Sequence, residues 1–179
     1  MNMKRLSIAF VTFAVAFGAT GADLSYTPQG SAPYYWSDTA AWGGAVPTSA
    51  DNVKVNSSTL LGSPLVVPSE TSATGAKVLL GDGVLQVENG ANLAMGSEWL
   101  ILADKNLTGV VTNYGTATIY KLDLGVYGDA GIGMYKDAGG SGAGRLAQFD
   151  NFGNLTIGSH LRLQVNGTPS CSTTMPARP

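Results

Sequence analysis

Apolar and polar residues along most of this chain alternate singly and do not follow helical steps. Val53 with Val55, Leu93 with Met95, and Leu161 with Leu163 and Val165 each put every second side chain on one face, which is the period of a pleated strand. Val84 and Val87 lie in a further apolar stretch of the same kind. The short runs AKVLL (76–80) and WLIL (99–102) are too brief for helices of ten or more residues and read as strands that are buried or bounded by turns. Between these segments, Gly81-Asp82-Gly83, Asn89-Gly90, Asn113 to Gly115 and Asn151 to Gly153 supply residues that let the backbone change direction. The pattern predicts an all-β chain.

Three of these segments share an order. NGANLAMGSEWLIL begins at Asn89, NYGTATIYKLDL at Asn113 and NFGNLTIGSHLRLQV at Asn151, so Leu93, Ala117 and Leu155 occupy one position and Met95, Ile119 and Ile157 the next apolar one. The steps between the three Asn are 24 and 38 residues, which suits one coil of about 20 to 30 residues, once plain and once carrying a Gly-rich insertion. A single coil of this kind leaves strand edges and an apolar inner face that only the next coil can cover. The expected fold is a right-handed parallel β-helix, or β-solenoid, with an antiparallel β-sandwich as the alternative. Asn89, Asn113 and Asn151 are given a structural role at the corners, because Asn tolerates left-handed backbone and stacked amides bond to one another.

The segment WSDTAAWGGAVPTSADNVKV (36–55) sets Trp36 and Trp42 six residues apart, then Gly44, Pro47 and Asp51, then the pair Val53 and Val55. Two indoles beside a Pro-fixed turn can cover the open end of a stack, and Asp51 can close the turn before the first strand. An aromatic sugar-binding platform is the functional alternative for the two Trp. The segment resembles the opening of bacterial secreted β-solenoid proteins, including the passenger regions of autotransporter-like adhesins, with Ala41 where such segments usually carry Asn. The resemblance covers about 20 residues and implies an N-terminal cap over residues 23–50, followed by solenoid coils over 51–166.

Residues 1–22 read separately. Lys4 and Arg5 precede an uncharged run from Leu6 to Phe17 and then Ala19-Thr20-Gly21-Ala22, the arrangement of a cleaved secretory signal peptide. The run is too short for a bilayer span, so the membrane enters only through that peptide, and the expected location is secreted, extracellular or at the cell surface. Without Lys4 and Arg5, eight basic residues face twelve acidic ones, a formal charge of −4. No run of basic residues appears along the sequence, which argues against nucleic acid as a partner. Cys171 is the one Cys and cannot form an intramolecular disulfide, so stability is expected to come from stacking. The tail TPSCSTTMPARP (168–179) loses the alternation and gathers Pro169, Pro176 and Pro179; with Gly167 it reads as an irregular end, either of a longer, truncated surface protein or of a small complete one.

The insertion YGDAGIGMYKDAGGSGAG (127–144) is the extra length between two coils. Its internal echo offers Tyr127 and Tyr135 for stacking on sugar faces, and Asp129 and Asp137 for accepting sugar hydroxyls or contacting calcium; the plainer reading is a flexible bulge with solvated carboxylates. Catalytic chemistry finds little to stand on. His160 is the one His, so a zinc site with several His or Cys and a His-dependent triad of known motif are not supported. Asp123, Lys121, Arg145 and Arg162 are available for lyase-type chemistry but form no motif in sequence. The expected function is a secreted or surface-displayed structural or adhesive module without catalysis, cofactor or metal, whose partners are glycans or cell-surface and matrix proteins and whose last coil can self-associate. The alternative is a carbohydrate-active module, sugar-binding or part of a polysaccharide lyase.

Overall fold

The computed structural model describes residues 21–103, 107–124 and 146–163. Residues 1–20 of the predicted signal peptide (1–22), the whole of the Gly-rich insertion (127–144) and the tail lie outside them. The described chain is mostly strand: β1 (Asp23–Tyr26), β2 (Tyr34–Tyr35), β3 (Asn52–Val55), β4 (Leu65–Val67), β5 (Ser72–Gly75), β6 (Lys77–Leu80), β7 (Gly83–Val87), β8 (Asn92–Leu102), β9 (Gly109–Asn113), β10 (Thr116–Leu124), β11 (Ala147–Asn151) and β12 (Asn154–Leu163). A short helix, α1 (Thr59–Gly62), and a 3-10 turn at Ala40–Trp42 complete it.

Two sheets result. The first runs β1-β3-β6-β8-β10-β12, with β5 also paired to β8, and the second runs β11-β9-β7-β4-β2. Every strand pairing among the described residues is parallel. The antiparallel sandwich is therefore not built. Parallel neighbours need a crossover, and from β7 onward the crossover of each sheet is a strand of the other: β7, β9 and β11 enter the second sheet while β8, β10 and β12 enter the first.

The sequence alignment of apolar positions coincides with the strand register. Leu93 pairs with Ala117 and Ala117 with Leu155; Met95 pairs with Ile119 and Ile119 with Ile157. These side chains, with Val53, Val55, Val78, Leu80, Leu100, Leu102 and Leu122 of the first sheet and Leu65, Val67, Leu85, Val87 and Val111 of the second, share one apolar core. Val84 departs from its expected place: in β7 it is Leu85 and Val87 that are buried, and Val84 faces outward, half-buried. The long strands of the first sheet also bend. Gly96, Ser97 and Glu98 stand between Met95 and Trp99 where β10 has Tyr120 alone, so β8 pairs with β5 before the bulge and with β6 after it.

The Asn corners differ from one another. Asn113 and Asn151 are paired in the second sheet, and Asn113 Nδ2 donates to Asn151 Oδ1 at 2.7 Å and to the Asn154 carbonyl at 3.0 Å. Tyr114 and Phe152 stack beside them, centroids 5.1 Å apart. Gly115 and Gly153 follow because the turns lie against one another: a Cβ on Gly115 would overlap the carbonyl oxygens of Ala91 and Glu88, and one on Gly153 that of Gly115. Asn89 does not join this ladder. Asn113 is opposite Val87, and Asn89 is exposed in a turn between β7 and β8 that is two residues longer than the one after β9.

Residues 23–50 supply the first strand of each sheet. β1 pairs with β3, and β2 with β4. Trp36 and Trp42 are both buried, with the Trp42 indole N–H donating to the Trp36 carbonyl at 2.6 Å and Tyr26 packed edge-on against Trp42. Burial pushes the Tyr26 hydroxyl up to about 12, with Asp38 adding to the effect. Asp51 closes the turn before β3: Thr48 donates from its amide and hydroxyl and Ala22 from its amide, and these bonds hold the carboxyl below the usual range. At the other end, β11 and β12 are the last strands of their sheets, and apolar exposure rises there, to 63% for Phe152 and 53% for Leu161.

Candidate functional site

Beyond the bulge, the outer face of the first sheet carries two rows of paired residues running across the strands. One row is Asp23, Asn52, Lys77, then Trp99, Lys121 and His160; the other is Ser25, Lys54, Leu79, Ile101, Asp123 and Arg162. Paired residues of parallel strands point to the same side, and the intervening positions Val53, Val78, Leu100 and Leu122 face the core. The rows therefore belong to one surface. Among the described residues all four Lys and Arg side chains, Lys54, Lys77, Lys121 and Arg162, stand on it. Of the described carboxylates only Asp23 and Asp123 fall in these rows, with Glu98 in the adjoining bulge.

The centre of the face is Trp99, 8% exposed and packed with Ile101 and Leu79 in a small apolar cluster of its own. Arg162 lies over its ring at 4.7 Å from the centroid and Lys121 at 5.4 Å, with the His160 ring 6.2 Å away. Both cations are held by the quadrupole of the indole, an interaction of about 0.5–2 kcal/mol each depending on desolvation. Lys121 also lies 5.0 Å from the Tyr120 centroid.

Asp123 is fully buried beneath this layer, and Arg162 Nη1 stands 3.3 Å from its Oδ2. Among the described residues neither carboxylate oxygen has a hydrogen-bond donor. Burial pushes the Asp123 carboxyl up to about 6, and Arg162 opposes that shift without overcoming it. The group anchors Arg162 from below and is not placed to touch a ligand. Toward β1, the same face opens into a shallow groove of about 310 Å³ lined by Asp23, Ser25, Asn52, Lys54, Lys77 and Leu79, together with Leu24 and Val53. Among the described residues Arg162–Asp123 is the one ion pair, so Lys54 and Lys77 stand without an acidic partner.

The residues singled out from sequence fare unequally. Tyr127, Asp129, Tyr135 and Asp137 lie outside the described residues. Trp36 and Trp42 are buried, so neither indole offers a platform to a sugar. Lys121, Asp123 and Arg162, which form no motif in sequence, are brought together, while Arg145 lies outside the described residues. The basic stripe that the linear sequence lacks does exist across the strands, because residues far apart in the chain become neighbours in the sheet. Trp99 and Lys77 were not singled out as site residues; the apolar run that contains Trp99 signals burial, and only the register shows which side it faces.

Among the described residues no group of three or more His, Cys, Asp or Glu side chains could hold a metal ion. No helix among them is long and apolar enough to cross a membrane. In comparisons with protein families, curated proteins and solved structures, the chain matches none of them.

Proposed function

We propose that this chain is an exported parallel β-solenoid module of structural or adhesive character, displayed outside the cell and without catalysis of its own. The observation that supports it best is the alternation of β7 to β12 between two wholly parallel sheets, each strand laid in register on the one before. Stacking of this kind builds a stiff body from short segments, and its outer faces are free to vary because the inner rows carry the fold. Lys121, Asp123 and Arg162 do not argue for a lyase here. Asp123 is buried, and Arg162 and Lys121 are engaged with Trp99, so none of the three is posed as a free acid or base.

The test is retention measured together with turnover. The chain from Asp23 to Pro179 is applied to immobilised glycans and matrix proteins, and the supernatant is assayed for new reducing ends and unsaturated sugar products. The reading expects retention on some surface with no product released. Product release in proportion to added protein would replace it with the carbohydrate-active alternative, and a folded sample retained by nothing would remove the adhesive part.

A further inference from the structure

We infer that the outer face of the first sheet is a binding site for a linear, carboxylate-bearing polysaccharide, gripped by Lys54, Lys77, Lys121 and Arg162. The inference deepens the display reading and rests on it.

Charge placement carries the argument. The chain as a whole is acidic, with formal net charge −2, yet every Lys and Arg among the described residues lies on this one face. Six of the nine described carboxylates lie on turns and other faces, at Asp38, Asp51, Glu70, Asp82, Glu88 and Asp150, while Asp23 and Asp123 lie in the rows of this face and Glu98 in the adjoining bulge. The cations thus outnumber the carboxylates on this face of an otherwise acidic body, and Asp123 is buried beneath Arg162, so the accessible excess of positive charge attracts an anion to that side.

The shape of the site selects an extended ligand. The four cations sit on β3, β6, β10 and β12, with β8 between, so they span four strand spacings of about 4.8 Å, or about 19 Å. A small anion would meet one or two of them; a polymer with regularly spaced carboxylates meets all. Ser25 and Asn52 stand beside Lys54 and Lys77 in the groove and supply neutral groups for sugar hydroxyls, and Asp23, which accepts from Asn52 Nδ2 at 2.8 Å, adds an acceptor at its β1 end. Nucleic acid fits less well. Single strands need open aromatic faces for stacking bases, and the one Trp on this face is covered by Lys121 and Arg162.

The two cation pairs have different mechanics. Arg162 and Lys121 are preorganised, Arg162 by Asp123 and both by Trp99, whereas Lys54 and Lys77 have no acidic partner among the described residues. Neutralising the second pair therefore tests binding without touching the packing around Trp99.

The experiment compares carboxymethyl cellulose with hydroxyethyl cellulose, one backbone with and without carboxylates, as ligands of the chain from Asp23 to Pro179 by biolayer interferometry over a range of salt. Three proteins are used: the unaltered chain, Lys54→Gln/Lys77→Gln, and that variant with Thr118→Lys/Thr156→Lys added, which restores net charge on the other side of the bulge. Circular dichroism establishes that each is folded. The inference expects binding to carboxymethyl cellulose alone, weakening with salt, reduced about tenfold in the double variant and not restored in the quadruple one, since two exposed charge contacts are together worth about a factor of ten. Equal binding of both polymers, recovery in the quadruple variant, or tighter binding of oligodeoxythymidylate or polyglutamate than of the charged glycan would each overturn it. The outcomes separate the two readings: retention on matrix proteins or neutral glycans without carboxymethyl cellulose binding sinks this inference and leaves display standing, whereas product release sinks display whichever polymer is bound.

Discussion

The two faces of the first sheet are built by opposite rules. Inward, the rows are uniform: Val53 with Val78, Val55 with Leu80, and Leu80 with Leu102 stack like on like and are buried. Outward, the row from Asn52 through Lys77 and Trp99 to Lys121 and His160 changes its residue from strand to strand, and its neighbour runs from Lys54 through Leu79 and Ile101 to Asp123 and Arg162. The same backbone spacing serves both. Repetition in the core supplies the cohesion of a stack, and that frees the outer rows to collect residues with no stacking role, including a buried carboxylate that costs stability.

Substitutions on both faces and at the corner sharpen this contrast, and the largest effect belongs to the inner face. Leu100→Ala empties a fully buried site between Val78 and Leu122 and is expected to lower stability by about 2–5 kcal/mol in denaturant unfolding, whereas Lys77→Ala, one residue-pair away on the outer side, should change it by less than about 0.5 kcal/mol. Comparable losses at both positions would show that the outer face also carries the fold.

Next comes Asp123. Burial raises its folded-state pKa to about 6 from an ordinary 3.8, so between these values the folded chain holds more protons than the unfolded one. The stability this group contributes is full below about pH 4 and is lost as pH rises through about 6, a change on the order of 3 kcal/mol. Arg162, Lys121 and His160 are the charged or titratable groups of the same face around it. Asp123→Asn should flatten the unfolding midpoint across that window; an unchanged slope in the variant would assign the pH dependence elsewhere. Arg162→Ala should steepen it by leaving the carboxylate without its cation.

At the corner, Gly115→Ala forces a Cβ against the Ala91 and Glu88 carbonyls and should cost about 1–3 kcal/mol in thermal or denaturant unfolding, with Asn113→Ala costing about 1–2 kcal/mol through its lost bonds to Asn151 and Asn154. The smallest effect is expected at Asn89→Ala, within about 0.5 kcal/mol, because Asn89 is exposed in the longer turn. A large loss there would mean that the ladder begins one strand earlier than Asn113.

This difference between the faces also explains what the sequence discloses. Alternation and recurrent Asn-aromatic-Gly turns expose the inner rows, because core rows repeat the same chemistry: Leu93, Ala117 and Leu155 could be aligned by eye and are paired in the sheet. Asn89 misled for a local reason, since the extra residues of its turn shift it two places from the Val87 that faces Asn113. The outer face is illegible in the sequence because its rows repeat neither a residue type from strand to strand nor a spacing along the chain. Lys54, Lys77, Lys121 and Arg162 become neighbours only through the register, and Asp123 reads as a solvated acid until Arg162 and the indole layer are placed around it.

In-register stacking is the claim on which everything else depends, and engineered cross-linking reads it directly. Thr118 and Thr156 are exposed partners on β10 and β12, and adjacent strand positions bring Cα atoms within the range that a disulfide spans. In a Cys171→Ser background, Thr118→Cys with Thr156→Cys should oxidise rapidly and completely as a monomer, while Thr118→Cys with Asn154→Cys, two residues out of register, should lag far behind. Equal rates for the two pairs, or no monomeric cross-link in either, would contradict the parallel stacked register.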